Sequence, residues 1–251
     1  MSAILEIRNA TRRFGGLTAV DNVSFSVPAQ GVTAVIGPNG AGKTTLFNII
    51  AGTFAPSEGA ILLAGADVTA LKPEEKAKHG LVRTFQLVKL FQSLTALENV
   101  KVGFHLRTTG GLLAALLRPG WFRTAEADVE ERALALLDLV GLSAVARKPA
   151  SILPYGQQRL LEIARALATE PRILLLDEPA AGLNAEESEK LAHTIRRIAA
   201  QGKAILLIEH DMKLVMDIAD EVVVLDYGRK IAQGTPEAVK QDRAVIDAYL
   251  G

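Results

Sequence analysis

Gly37-Pro38-Asn39-Gly40-Ala41-Gly42-Lys43-Thr44-Thr45 matches the spacing G-x-x-x-x-G-K-[ST] at every fixed position. Val32-Thr33-Ala34-Val35-Ile36 before it reads as a buried strand, and Thr45-Leu46-Phe47-Asn48-Ile49-Ile50 reads as the helix that follows. Strand, loop and helix arrive in the order a phosphate cradle needs. The glycines let successive backbone N–H groups face one anion, and the new helix adds its free amides and positive dipole end. Lys43 can then reach the β- and γ-phosphates of a nucleotide, while the Thr44 hydroxyl is placed to ligate Mg²⁺. A glycine-rich turn with a surface lysine would account for the loop but not for its flanks.

Outward from this loop, two later stretches carry the chemistry such a cradle requires. Arg172-Ile173-Leu174-Leu175-Leu176-Asp177-Glu178-Pro179 is an apolar run ending in two acids. It reads as a strand buried on both faces, whose carboxyl end is where a doubly wound sheet presents ligands. Asp177 can hold Mg²⁺ through water, and Glu178 can orient and deprotonate a water aimed at the γ-phosphate. Lys203 to Asp211 repeats the pattern, with His210 closing another buried strand and able to contact the γ-phosphate. Leu81 to Gln86 is a third strand; Gln86 at its end is a candidate for Mg²⁺ or the attacking water, or else a solvated loop residue. Phe14, in Arg12-Arg13-Phe14-Gly15-Gly16, either stacks on a purine or is tucked into the core.

The rest of the chain divides by pattern. Ile4 to Arg8 and Thr18 to Val27, the latter broken at Asp21-Asn22, alternate as strands of a small β-region, joined by Gly59 to Gly65 after the first helix. Pro73 starts a short helix, and Thr95-Ala96-Leu97-Glu98 is a capping box opening a helix with Leu97, Val100, Val102 and Phe104. Gly110 to Trp121 reads as a short apolar helix or hairpin arm, and Ala133, Leu134, Leu136, Leu137 and Val140 form one helical stripe ended by Gly141. Helices without intervening strands predict an inserted α-helical subdomain at 87–170, within an α/β core at 1–86 and 171–251. Ser151 to Arg159 opens a further helix through Ala168, whose free amides form a second potential anion site. Glu186 to Gln201 is amphipathic, with Leu191, Ile195, Ile198 and Ala199 inward, and two short strands and a helix started at Pro236 complete the chain.

Composition narrows the function. Lys plus Arg equals Asp plus Glu at 28 each in 251 residues, so no global field recruits nucleic acid or anionic lipid. The absence of cysteine removes disulfides, thiolate catalysis and Cys-based metal sites, and fits a reducing compartment. Met1 to Arg8 lacks the pattern of a secretory signal, and no stretch approaches the ~20 apolar residues of a membrane span. Mean hydropathy is nonetheless +0.23, which implies a surplus of buried or partner-facing apolar surface.

The ordered set of motifs resembles the nucleotide-binding subunit of ABC transporters over essentially the whole chain. Besides the phosphate loop it includes Phe14, a Q-loop at Gln86, a signature-like Leu153-Pro154-Tyr155-Gly156-Gln157, the pair Asp177-Glu178, a D-loop Ala181-Gly182-Leu183-Asn184 and the switch His210. Arg12 to Val20, Arg83 to Gln86, Ala180 to Asn184 and Val224 to Ile231 are similar to the LivG type within the family. The resemblance implies a P-loop NTPase core of RecA-like form with an N-terminal antiparallel β-region, and ATP and Mg²⁺ as cofactors. It implies two ATPase subunits sandwiching ATP, with Tyr155, Gly156, Gln157 and Asn184 acting in trans on the partner's nucleotide. It also implies transmembrane permease partners that would dock near Gln86 to Leu97, and indirectly a substrate-binding protein. The place is the cytoplasmic face of the inner membrane, for a chain that is soluble when isolated.

Branched-chain amino acid import is the implied role. Lipopolysaccharide export, a soluble ABC protein acting on DNA or ribosomes, and a non-hydrolytic regulatory module are the alternatives; Glu178 speaks against the last. Two departures stand out. Pro154 and Tyr155 replace the Ser and first Gly of the usual signature, removing a hydroxyl and an amide donor. Asn184 stands where aspartate is common, and with Glu187 it is equally a helix cap.

Overall fold

The computed structural model describes residues 3–84, 88–105 and 120–250, which form two compact units. The first comprises Met1–Gln86 and Arg172–Gly251, the second Leu87–Pro171. The expected apolar arm at 110–121 falls almost wholly outside the described residues, as does Gln86.

The first unit is built on two sheets. In one, β1 (Ala3–Phe14), β2 (Leu17–Pro28), β4 (Glu58–Leu63) and β5 (Ala66–Asp67) run antiparallel in the order β2-β1-β4-β5. β1 extends well beyond the alternating run at Ile4 to Arg8. β2 passes through Asp21-Asn22, where sequence suggested a break. The chain absorbs those polar residues in bulges: Asn9 and Asn22 adopt φ of 51° and 52°, a region asparagine tolerates, and Asn9 Nδ2 donates to Asn22 Oδ1 at 2.8 Å.

The other sheet has the order β10-β9-β3-β8-β7-β6, with β3 (Gly31–Ile36), β6 (Leu81–Arg83), β7 (Ile173–Asp177), β8 (Ala204–Ile208) and β9 (Glu221–Asp226) parallel, and β10 (Arg229–Gly234) antiparallel to β9. Every residue of β7 and β8 is buried, which is why both strands read as unbroken apolar runs. Register decides where the chemistry goes. Val35 and Asp177 both pair with Ile208, so the loops after β3, β7 and β8 leave the sheet at one edge.

Helix α1 (Lys43–Ala51) follows the phosphate loop. Its Leu46, Phe47, Ile49 and Ile50 share one buried cluster with Leu5, Ile7 and Phe25 of the antiparallel sheet and Val35, Leu175 and Leu206 of the parallel one. Each such side chain is worth ~1.5–3 kcal/mol of burial, so α1 is fixed from both sides. Its carboxyl end is met by α2 (Pro73–Lys78), whose completely buried Lys76 donates to the Ile49 and Ile50 carbonyls at 3.2 and 2.9 Å. Burial pushes the Lys76 pKa down to about 8.

The second unit contains α3 (Ala96–His105), α4 (Gly120–Leu139) and α5 (Tyr155–Leu167) around Leu97, Val100, Phe104, Ala133, Leu137, Val140, Leu161 and Ala164. The capping box at Thr95 forms: Glu98 N donates to Thr95 Oγ1, and Thr95 N donates to the Glu98 carboxylate. Leu134, assigned to the inward stripe of α4, is instead 41% exposed. Within α5, Arg159 and Glu162 form a buried pair at 3.1 Å, and the net effect of burial raises the Glu162 pKa. The first unit closes with α6 (Ala185–Ala200), α7 (Met212–Ile218), α8 (Pro236–Gln241) and α9 (Arg243–Leu250). Thr194 joins Leu191, Ile195 and Ile198 on the buried face of α6, while Ala199 is only partly covered.

Candidate functional site

Gly37 and Gly42 shape the phosphate loop because no other residue fits. At φ of 152°, a Cβ on Gly37 would lie 2.1 Å from the Leu225 carbonyl oxygen; at φ of 93°, one on Gly42 would lie 2.4 Å from that of Ala19. The loop is therefore clasped by β9 and β2 along its backbone. Gly42 caps α1 without a side chain, leaving the amides of the first turn, which no α-helix satisfies internally, for a ligand. A cavity of about 340 Å³ opens there, lined by Asn39 to Thr45, by Glu178, by Leu17 to Ala19 and by Tyr227 and Gly228.

Lys43 is nearly buried, and its ammonium donates to the Gly37 and Pro38 carbonyls at 2.7 and 2.9 Å. Burial lowers its pKa, against which the charge of Glu178 acts. Glu178 sits at φ of 44°, a costly conformation for a non-glycine residue, with its amide donating to the Ile208 carbonyl at 3.0 Å. An acid held over the phosphate cradle in a strained turn can bind a water there, and an ammonium opposite it can take negative charge.

Asp177 ends β7 as expected, but its Oδ2 accepts from Arg83 Nη2 at 2.5 Å, the aspartate buried and the arginine partly so. Arg83 also donates to Asn48 Oδ1 at 2.8 Å, tying β6 to α1. Thr44 is exposed on the cavity wall beside Glu178. Among the described residues no cluster of three His, Cys, Asp or Glu could hold a metal. Mg²⁺ on a nucleotide keeps several waters and takes only one or two protein oxygens beside the phosphates, and the exposed Thr44 hydroxyl is a donor of that kind. Gln86, the other expected ligand, lies outside the described residues.

His210 follows β8 with its side chain largely exposed, its Nδ1 at 3.9 Å from Oε2 of fully buried Glu209. Burial pushes the Glu209 carboxyl up, opposed by the amides of Ala180, His210 and Asp211. Phe14 is 41% exposed, with the Arg12 guanidinium 4.7 Å above its ring and Phe54 edge-on at 5.7 Å. It is not among the residues lining the cavity. Asn184 caps α6: Glu187 N donates to its Oδ1 at 3.0 Å, and Glu187 returns the contact to the Asn184 amide.

In the second unit, Pro154 is the N-cap of α5 and Tyr155 its first helical residue. Gly156 is buried, Tyr155 is 41% exposed and the preceding Ile152 64% exposed. The Gln157 side-chain oxygen is buried with no hydrogen-bond partner among the described residues. The sequence singled out neither Leu17 nor Tyr227 on the cavity wall, because hairpin turns bring them there without any local motif. Glu209 did carry a signal, being an acid at the end of an all-apolar strand just as Asp177 is.

Two family models match the chain: ABC transporter over residues 20–181, and branched-chain amino acid ATP-binding cassette transporter over residues 229–251. The chain is 47% identical over 249 residues to the high-affinity branched-chain amino acid transport ATP-binding protein BraF of Pseudomonas aeruginosa, covering 99% of this chain and 98% of that protein. It is 45% identical to LivG of Escherichia coli, which bears the same description, with the same coverage. Among solved structures it is similar to an ABC transporter ATP-binding cassette in its ADP conformation, with a TM-score of 0.86, 34% identity and 100% of both chains covered.

Proposed function

Because the chain belongs to the ABC transporter family, we propose that it is the ATP-hydrolysing subunit of a branched-chain amino acid importer, paired with a second cassette and seated on permease subunits at the cytoplasmic face of the membrane. The observation that carries this reading is Glu178, which shares one cavity wall with Lys43 and Thr44. The match of residues 229–251 to the branched-chain cassette model supports the substrate class, as do the relatives' descriptions.

The chain's own groups divide the work. The amides of the Gly40 to Thr45 turn and the start of α1 receive the phosphates, and Lys43 exchanges its two loop carbonyls for β- and γ-phosphate oxygens. Thr44, Gln86 and Asp177 would hold Mg²⁺, which would neutralise charge on the phosphates. Glu178 accepts a proton from the attacking water and aims it, while His210 contacts the γ-phosphate. Phe14 stacks on the adenine. From the partner cassette, Tyr155, Gly156, Gln157 and Asn184 close over the nucleotide. ATP drives transport only as far as it prefers the closed pair over the open one. A substrate-binding protein delivers the cargo, and nucleic acid has no part.

Glu178→Gln tests the chemistry. In the complex with its permease, ATP binding is retained and turnover falls by ~10²-fold or more; near-normal turnover overturns the assignment. Proteoliposome uptake of leucine, isoleucine and valine against polar amino acids tests the cargo.

A further inference from the structure

We propose that Glu209 is a positioning residue for hydrolysis, its carboxylate tying the loop that carries Glu178 to the loop that carries His210. Glu209 is 0% exposed, immediately beyond the last residue of β8. Its Oε1 accepts from the Ala180 amide at 2.8 Å, and its Oε2 from the amides of His210 and Asp211 at 3.1 and 3.4 Å. A second link runs in parallel, from the Glu178 amide to the Ile208 carbonyl at 3.0 Å. The two loops that leave the sheet edge side by side are thus joined through one side chain.

A buried carboxylate is expensive to keep, and three amides offset that cost only while both loops hold this arrangement. An apolar residue would serve burial as well or better. What the carboxylate supplies instead is a rigid strut. His210 cannot shift its backbone towards a γ-phosphate without moving Oε2, and through Oε1 the Ala180 amide that begins the turn to Asn184. Asp211 extends the link by capping α7, its Oδ1 accepting from Leu214 N at 3.1 Å. Rearrangement around the γ-phosphate therefore reaches the Ala180 to Asn184 loop within one subunit. This inference rests on the proposed ATPase reading, in which Glu178 and His210 act on the same phosphate.

The test uses the assembled transporter with Glu209→Gln, Glu209→Ala and Glu178→Gln in parallel. Glutamine keeps the shape and one acceptor, but must turn an NH₂ towards amides that need an oxygen. For Glu209→Gln we expect ATP affinity and KM within about 2-fold of wild type, a retained melting transition, and kcat per ATP-binding site lowered by ~10-fold or more. Glu209→Ala loses at least as much kcat; where it fails to fold, the glutamine variant decides. Turnover that falls only in step with the folded, ATP-binding fraction overturns the proposal. If Glu178→Gln is inactive while Glu209→Gln is normal, the strut alone fails; if Glu178→Gln turns over normally, the reading of the site fails first.

Discussion

The starts of α1 and α5 are both helix N-termini that the proposed function turns towards a nucleotide, yet they are built in opposite ways. Helix α1 is held at both ends, by a glycine turn locked against Leu225 and Ala19 in front and by Lys76 on the Ile49 and Ile50 carbonyls behind. Helix α5 is anchored by its middle, through Arg159, Glu162, Leu161 and Ala164, and its front ends in Pro154, half-exposed Tyr155 and exposed Ile152. The first is a finished site within one chain. The second leaves the Gln157 side-chain oxygen without a hydrogen-bond partner among the described residues, beside exposed apolar side chains; the proposed pairing with a second cassette would cover them.

The largest effect that sharpens this contrast belongs to the back of α1. The folded pKa of Lys76 lies near 8, below its usual 10.5, so the unfolded chain binds more protons between those values. Stability relative to Lys76→Met then rises with pH through the window from about 8 to 10.5, by up to roughly 3 kcal/mol, as denaturant titrations at each pH would show. A flat difference would mean that the ammonium is not sealed under the helix. Next is Lys43→Ala, which weakens ATP binding by the isolated chain by about 10- to 100-fold, the worth of charge-assisted bonds to phosphate. Tyr155→Ala leaves that single-chain affinity within about 2-fold, because in the proposed pair α5 would act on the other cassette's nucleotide. Equal losses in fluorescent-ATP titrations of the two variants would break the comparison.

Asn184→Ala follows. Removal of the α6 cap costs about 1 kcal/mol in thermal unfolding, and Asn184→Asp restores it; no loss would mean that Asn184 serves only the partner. The smallest effect is Pro154→Ser. Restoring a hydroxyl and an amide at the front of α5 tightens ATP-dependent pairing a few-fold, within ~1 kcal/mol, in sedimentation of the Glu178→Gln background. No change would show that the proline already sets an adequate cap.

Much of this was legible in the primary structure because local chemistry dictates it. The phosphate loop, the two apolar strands ending in acids, and the caps at Thr95 and Asn184 all depend on residues a few positions apart. Legibility failed where a residue's partner lies far along the chain. Nothing near Asp177 announced its partner Arg83, 94 positions away, which donates to its Oδ2. The polar step at Asp21-Asn22 looked like a break in the alternation, yet bulges paired with β1 carried the strand through. Leu134 looked inward by periodicity, but the neighbours of α4 leave it exposed.

The sequence by itself determined a strand, a glycine-rich turn at Gly37 to Gly42, a helix start at Lys43 and an acid after a buried strand, since spacing and residue type suffice for a turn, a helix start and a hydrophobic run. Only the tertiary structure decided that Glu178 meets Lys43 across one cavity, that Lys76 seals the far end of α1 and that Glu209 joins two loops. Those contacts follow from the register of parallel strands, where neighbours in space are separated in sequence by whole helices, and no local pattern records which loops will leave the sheet together.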